Sequence, residues 1–344
     1  MATVSVIVPI RNEAASIEAT LRSLLTQNYP AGEFEVLVAD GFSTDETVGI
    51  VRRLQGEFAN LRLFYNPSRF SSAARNTCVR HMTGRYAVVV DGHCQIPDKH
   101  YLANLVEAFE QTGADSLGRP QPLDASDPTP FQQAVSIARS SKLGHNPDSD
   151  IFSDRPKFVE PQSTAVAYRR EVFATIGLFD QSFDACEDVE FNQRVFEAEL
   201  TCFFEPKLKV VYHPRSSWKK LFTQLGRYGA GRARLAVKSP KSLTLPALVP
   251  PLWMAWVIVG PLLALVVPYV GWLYLASLAL YFGAIAAASL KLARGKPLAT
   301  AWRIPLVFLG IHAGFGWGMW RELVRQAKMC LTSPREVRRA MPSA

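Results

Sequence analysis

Uninterrupted apolar runs, rather than alternating ones, mark the first quarter of the chain. Tyr86–Val90 is a short run rich in β-branched residues with no polar break, and Ser5–Pro9 and Phe34–Ala39 are similarly apolar. Such runs read as strands buried on both faces, as in a mostly parallel sheet. Leu61–Tyr65 is a third, shorter strand in chain order. Between the strands the period lengthens. Ala14–Gln27 places Ile17, Leu21, Leu24 and Leu25 at helical spacing, and Pro30 stops it. Helices are also expected over Glu46–Gln55, capped by Ser43 or Thr44 with Asp45 and Glu46 at its positive end, and over Ser71–Met82. Alternating strands and helices imply right-handed crossovers and a doubly wound α/β sheet.

Polar clusters follow three of these strands directly: Asn12 and Glu13, then Asp40, then Asp91 and His93. In open α/β sheets ligands bind at the C-terminal strand ends, so the clusters should share one rim. Along an extended chain Asp91 and His93 point the same way, so both can reach one cation. Asp91-Gly92 is equally a turn signal. A second centre lies in FDQSFDACEDVEFNQRVFEAE, from Phe179. Glu187, Asp188 and Glu190 open a helical pattern there. Complementing the helix dipole accounts for Glu190 but not for three acids beside Phe179, Phe183 and Phe191. Gly113–Lys157 is rich in Pro, Asp and Ser, with a helical patch at Pro130–Leu143. Cys202–Tyr212 reads as two short strands ending at His213.

The pattern changes again after Trp218. Over Trp218–Lys238, Trp218, Leu221, Phe222 and Leu225 fall on one helical face among many Lys and Arg, as in a helix lying in a membrane interface. Leu245–Val267 and Tyr269–Leu290 are each long and apolar enough to span a bilayer, and Pro268 alone separates them. Lys291, Arg294, Lys296 and Arg303 then mark the cytoplasmic side. Ile304–Trp320 is a shorter third segment whose glycines suit close helix packing. Net charge is +8, and the cations crowd beside these apolar segments, which favours an anionic membrane surface over nucleic acid. Five cysteines without a Cys-x-x-Cys pair argue against zinc and disulfide frameworks. The chain enters its first strand with no signal-peptide pattern, so the first domain is expected in the cytoplasm.

Three stretches together, VSVIVPIRNEAASIEATLRSLLTQNYP, VADGFSTDET and TGRYAVVVDGH, resemble the nucleotide-sugar half of the family 2 glycosyltransferases, which have the GT-A fold. Within that family the chain is most similar to exopolysaccharide glucosyltransferases of the succinoglycan type, whose metal motif also ends in His. The resemblance implies that Asp40 reads the nucleotide base, that Pro9, Asn12 and Glu13 line the nucleoside pocket, and that Asp91 binds metal and diphosphate, with Arg75 beside them. His93 stands where an Asp-x-Asp motif has its second carboxylate, and imidazole is an acceptable ligand for manganese. EDVE matches the family's Glu-Asp-x-Asp/Glu motif, with Asp188 as catalytic base and Glu187 supporting it. Some relatives place a metal-binding His at the distance of His213. Gln224-Leu225-Gly226-Arg227-Tyr228 resembles the Gln-x-x-Arg-Trp motif of membrane polysaccharide synthases, which implies that Gln224, Arg227 and Tyr228 serve the nucleotide diphosphate and acceptor.

The resulting expectation is a GT-A catalytic domain over 1–215, an amphipathic interfacial region over 216–242, two or three transmembrane helices within 243–321 and a basic tail over 322–344. It is an inverting enzyme that uses Mg²⁺ or Mn²⁺. It moves a sugar, glucose by the resemblance, from a UDP-sugar to a lipid-linked saccharide at the inner membrane, beside other polysaccharide-assembly proteins. The alternatives are a processive synthase, a prenyl-phosphate sugar transferase and a non-catalytic nucleotide-sugar-binding protein.

Overall fold

The structure of the chain, a computed structural model, describes residues 2–124, 127–145 and 150–332. The chain forms two compact units, Met1–Asp127 with Asp148–Pro214, and Pro128–Pro147 with Arg215–Ala344. The first unit holds the strands β1 (Val4–Ile10), β2 (Phe34–Asp40), β3 (Leu61–Tyr65), β4 (Tyr86–Val89), β5 (Cys94–Gln95), β6 (Ser116–Gly118), β7 (Lys157–Phe158), β8 (Ala165–Arg169), β9 (Cys202–Phe204) and β10 (Val211–Tyr212). Its helices are α1 (Ile17–Leu25), α2 (Thr47–Glu57), α3 (Ser71–His81) and α4 (Tyr101–Thr112). After α5 (Pro130–Arg139), which belongs to the second unit, come α6 (Arg170–Ile176) and α7 (Glu187–Glu197). The second unit continues with α8 (Trp218–Lys238), α9 (Leu245–Val266), α10 (Pro268–Leu292), α11 (Leu298–Ala301) and α12 (Ile304–Thr332).

Among the described residues the main sheet has eight strands in the order β3-β2-β1-β4-β8-β6-β9-β7. The first four run parallel, as the apolar runs require. β8 then enters antiparallel to both β4 and β6, so the sheet is mixed beyond the nucleotide-sugar half. The order reverses between β1 and β4, the kind of switch point at which a crevice opens beyond the strand ends. β1 and β2 are buried at every position, sandwiched between two helical layers. On one side lie Ile17, Leu21 and Leu24 of α1 with Leu105 and Phe109 of α4. On the other lie Ala74 and Cys78 of α3 with Phe191 and Val195 of α7. Each such fully buried Leu, Ile, Val or Phe side chain contributes about 1.5–3 kcal/mol relative to exposure. Glu35 interrupts β2 without breaking it, because Ser5 Oγ (2.7 Å), Thr83 Oγ1 (2.9 Å) and Arg62 (3.2 Å) donate to its carboxylate.

One local expectation is corrected. Neither Ser43 nor Thr44 caps α2. Glu46 is the N-cap residue and makes no side-chain cap, and Asp45 Oδ1 instead accepts from the Thr47 backbone N–H at 3.1 Å. Ser43 and Thr44 are bonded to Asn12, so the β1 loop has taken them from the helix.

In the second unit, α8 has the expected bounds but different surroundings. Leu221 and Leu225 are buried, and Trp218 Nε1 donates to the Leu306 carbonyl of α12 at 3.2 Å. The face expected to meet a membrane interface is therefore largely packed on another helix. That packing is backbone to backbone. A Cβ at Gly229 would lie 2.0 Å from the Phe315 carbonyl oxygen, and one at Gly318 would lie 1.9 Å from that of Gly226. α12 is also longer than Ile304–Trp320, running 29 residues. Three helical stretches, Leu245–Val266, Tyr269–Leu292 and Leu298–Met329, are long and apolar enough to cross a membrane. The third is much more buried within the unit than the other two. Gly229→Leu should push α8 from α12 and destabilise the protein by about 1–3 kcal/mol, as overpacking does. An unchanged melting temperature in detergent would count against this packing.

Candidate active site

The rim of the switch point is assembled from loops that brace one another. Asn12, just beyond β1, has a positive φ of 56°, a conformation Asn tolerates better than most residues. Its side-chain oxygen accepts the Thr44 backbone N–H at 2.8 Å, and its own N–H donates to Ser43 Oγ at 2.8 Å. Glu13 N–H donates to Thr47 Oγ1 at 2.8 Å. The β1 and β2 loops are thereby locked together. Asp40 is buried at the end of β2, its two oxygens holding the Ser43 hydroxyl (2.5 Å) and backbone N–H (3.1 Å). An ionised carboxylate has about four lone-pair sites, so Asp40 keeps acceptor capacity for a ligand N–H. Pro9 lies in β1 beside Ala39, one residue short of this rim.

Asp91 leaves β4 immediately across the switch point. Tyr212 Oη donates to its Oδ2 at 2.8 Å, and an Arg75 nitrogen lies 3.7 Å from its Oδ1. Burial alone would raise the Asp91 pKa, but the charges of Arg75 and His93 and the Tyr212 bond hold it below the usual carboxylate value. Asp91 is thus an anion throughout the physiological range. Gly92 is required here: a Cβ would fall 2.9 Å from Ile10 Cγ2 and 3.3 Å from Glu13 Cγ. The His93 ring turns to Glu13, with Nδ1 3.0 Å from Oε1. Sequence reading placed Glu13 toward the nucleoside; its carboxylate is bonded to His93. β10 pairs antiparallel with β5, Tyr212 opposite Cys94, and one further step of that register sets His213 opposite His93.

The acidic segment of α7 is brought to Asp91 by α3. Asn76 makes two 2.8 Å bonds with the backbone of Phe179, and Ser72 Oγ donates to the Phe183 carbonyl at 3.1 Å. Cys186 then turns the chain at a φ of 62° and starts α7. Arg75, one residue before Asn76, sits beneath the junction. Its guanidinium is 3.2 Å from Glu187 Oε1 as well as 3.7 Å from Asp91, and its centre lies 5.3 Å over the Phe179 ring. One cation therefore ties the β4 acid to the α7 acids. Asp188 retains some exposure, and burial followed by the charge of Glu187 raises its pKa, which Arg75 only partly offsets. Glu190 is a structural acid: Arg194 bonds both its oxygens at 2.9 Å and continues to the Ile176 and Leu178 carbonyls.

Two groups of this floor escaped sequence reading. The strand pattern that ends at Tyr212 says nothing of its hydroxyl, which holds Asp91. Arg119 follows β6 and is 1% exposed, donating to Tyr101 Oη (2.6 Å) and the Val89 carbonyl (3.0 Å). Its charge also helps hold the Asp91 pKa down. Nothing in the local sequence marks Arg119, since its partners lie far away along the chain.

Among the described residues no three His, Cys, Asp or Glu side chains converge to hold a metal ion. The Asp91–His93 pair nevertheless fits a divalent cation completed by a ligand's phosphates, because such ions are often held by one or two protein groups plus substrate. The Glu13 carboxylate on Nδ1 is the outer-sphere arrangement usual for a metal-ligating imidazole, and it would leave Nε2 for an ion. Gln224, Arg227 and Tyr228 lie on α8 in the second unit, where Gln224 Nε2 donates to Tyr228 Oη at 3.2 Å.

Comparison with known proteins gives the fold and the family. A Pyrobaculum calidifontis structure, mannosyltransferase PcManGT in complex with GDP-Man and Mn²⁺, matches 92% of the chain and 87% of its own length, with a TM-score of 0.57 at 22% identity. That likeness shows the fold, a mostly parallel α/β sheet of the GT-A type. The succinoglycan biosynthesis protein ExoA of Rhizobium meliloti is 31% identical over 93% of this chain and 94% of its own length. A Methanococcus voltae enzyme, dolichyl N-acetyl-alpha-D-glucosaminyl phosphate 3-beta-D-2,3-diacetamido-2,3-dideoxy-beta-D-glucuronosyltransferase, is 25% identical over 68% of this chain and 74% of its own. The profile described as Glycosyl transferase family 2 matches residues 5–177, and with these relatives it shows that the chain belongs to that family, as a glycosyltransferase of polysaccharide or glycoconjugate synthesis.

Proposed function

We propose that the enzyme transfers a sugar from a UDP-sugar to a hydroxyl of a lipid-linked saccharide with inversion at the anomeric carbon. The observation that carries this reading is the convergence of Asp91, Arg75, Glu187 and Asp188 at the switch point. Asp40 accepts from an imide N–H of the base. Asp91 and His93 would hold a divalent cation, with His213 beside them, and that ion would supply charge neutralisation for the departing diphosphate. Asp188 takes the proton of the acceptor hydroxyl, and its raised pKa brings it nearer the working pH than an ordinary aspartate. Glu187 holds Arg75 in place. One base suffices for a single displacement, so no second carboxylate acts as nucleophile. The assignment of Gln224, Arg227 and Tyr228 to diphosphate and acceptor rests on their sequence motif.

We further propose that α9 and α10 cross the inner membrane as a hairpin, with the first unit in the cytoplasm. Lys291, Arg294, Lys296 and Arg303 after α10 support that orientation. At 1.5 Å per residue each helix is longer than the roughly 30 Å hydrocarbon core. The function is tested by incubating membranes carrying the enzyme with a panel of labelled UDP- and GDP-sugars and lipid extract. Label should pass from a UDP-sugar into the organic phase only when lipid-linked saccharide and Mg²⁺ or Mn²⁺ are supplied. Transfer from GDP-sugars alone, or to water-soluble saccharide alone, would refute it.

A further inference from the structure

The second unit holds guanidinium groups that no described residue neutralises. Arg139 closes α5, Arg215 stands just ahead of α8 and Arg232 lies within α8. All three are partly buried, and none is hydrogen-bonded or ion-paired to any described residue. The Nε of Arg139 is shut off from solvent with no partner at all. Two positions beyond Arg232 on the same helix, Arg234 has its counter-ion, Glu322, at 3.2 Å. Among the described residues the absence of an acid is therefore local to the cluster. The members also lie close enough to act on one another. Burial, and then the positive charge of Arg215, depress the Arg139 guanidinium, while Tyr228 works the other way. Burial, Arg139 and Arg232 push the His145 imidazole down to about 4, so it is neutral at physiological pH.

Partly shielded like charges repel, and an unpaired cation away from water is costly. Such a cluster is stable when a ligand brings the opposite charge. The guanidinium fork matches phosphate oxygens two at a time, and a phosphate ester carries more than one negative charge at neutral pH. The surrounding helices indicate the source of the phosphate. Thr300 Oγ1 donates to Gln133 of α5 at 2.6 Å, and His312 Nε2 of α12 lies 3.0 Å from the Leu143 carbonyl. The cluster thus belongs to the elements that carry the three apolar helices.

We propose that Arg139, Arg215 and Arg232 bind the phosphate or diphosphate head group of the lipid that carries the acceptor saccharide. The inference rests on the lipid-linked acceptor reading above and adds the residues that would hold the lipid.

The test uses the full chain in detergent and measures binding of farnesyl diphosphate, farnesol, inorganic pyrophosphate and UDP. Wild type should bind farnesyl diphosphate more tightly than farnesol or pyrophosphate. Arg139→Gln with Arg232→Gln should weaken farnesyl diphosphate by roughly 10–100-fold, the scale of losing charge-assisted bonds. UDP affinity should stay at the wild-type level, which also reports that the double variant is folded. Arg215→Gln gives a second, independent loss from a position outside the helices. Unchanged farnesyl diphosphate affinity in folded variants overturns the site, as does a parallel loss of UDP affinity, which would assign the cations to the nucleotide. Pyrophosphate binding as tight as farnesyl diphosphate would reduce the site to free diphosphate and overturn its lipid role. If wild type ignores farnesyl diphosphate while transferring sugar to a soluble saccharide, the acceptor reading fails instead.

Discussion

Asp188→Asn should reduce turnover by roughly 10²–10⁴-fold, the usual contribution of a positioned general base, while UDP affinity stays close to wild type. The substitution keeps the side chain's shape and removes only its ability to take a proton. Asp188 touches none of the bonds that hold Asp40, Asp91 or His93, so donor binding has no reason to change. The pH profile provides a second reading. Burial and Glu187 raise the Asp188 pKa, so kcat/KM should begin to fall on acidification at a pH above the ordinary aspartate value of 3.8. Glu187→Gln removes one raising charge, so that limb should move to lower pH with a smaller loss of turnover. If Glu187→Gln abolishes transfer and Asp188→Asn does not, Glu187 is the base and the motif assignment is displaced by one residue.

What the sequence disclosed depended on how local each signal was. β1, β2 and β4 were legible because strands buried on both faces need mostly apolar runs, and α8 because its apolar period is contiguous. The motif acids were legible because each follows its strand or opens its helix. The joints between them were not. Ser72, Asn76, Tyr212 and Arg119 act through partners 111, 103, 121 and 18 positions away, respectively, and three of these four bonds run to residues on other loops or helices with no motif of their own. The length of α12 was hidden for a different reason. Its glycines and charged end lower its apolar signal, but Gly310, Gly314 and Gly318 serve contact with α8 and Gly316 contact with α9. The face of α8 read as interfacial is the same contact seen from its partner. A sequence pattern reports that a face is apolar but not what covers it.

Arg75→Met should be the most destabilising single change at this site, costing about 3–5 kcal/mol at neutral pH, the scale for removing one member of a buried ion pair. Met fills much of the volume over the Phe179 ring, so the loss isolates charge rather than packing. It would leave Asp91 and Glu187 in a shielded pocket without the cation now 3.7 Å and 3.2 Å from them. The pH dependence separates this cause from a packing defect. In wild type the Asp91 pKa is depressed, with Arg75 the strongest of the lowering influences against burial. That stabilisation is complete above the ordinary carboxylate pKa of about 4 and is lost as pH falls through the depressed folded value. Without Arg75 the same carboxylate is driven upward, so protonation relieves the variant at a pH where wild type is still gaining from the ion pair. The deficit should therefore be largest at neutral pH and above, and shrink toward pH 4. Arg75→Lys restores a charge without the fork and should recover part of the stability. Denaturation of the full chain in detergent across this range gives the answer, and a deficit that is constant or grows on acidification would show that Arg75 supports the site through packing alone.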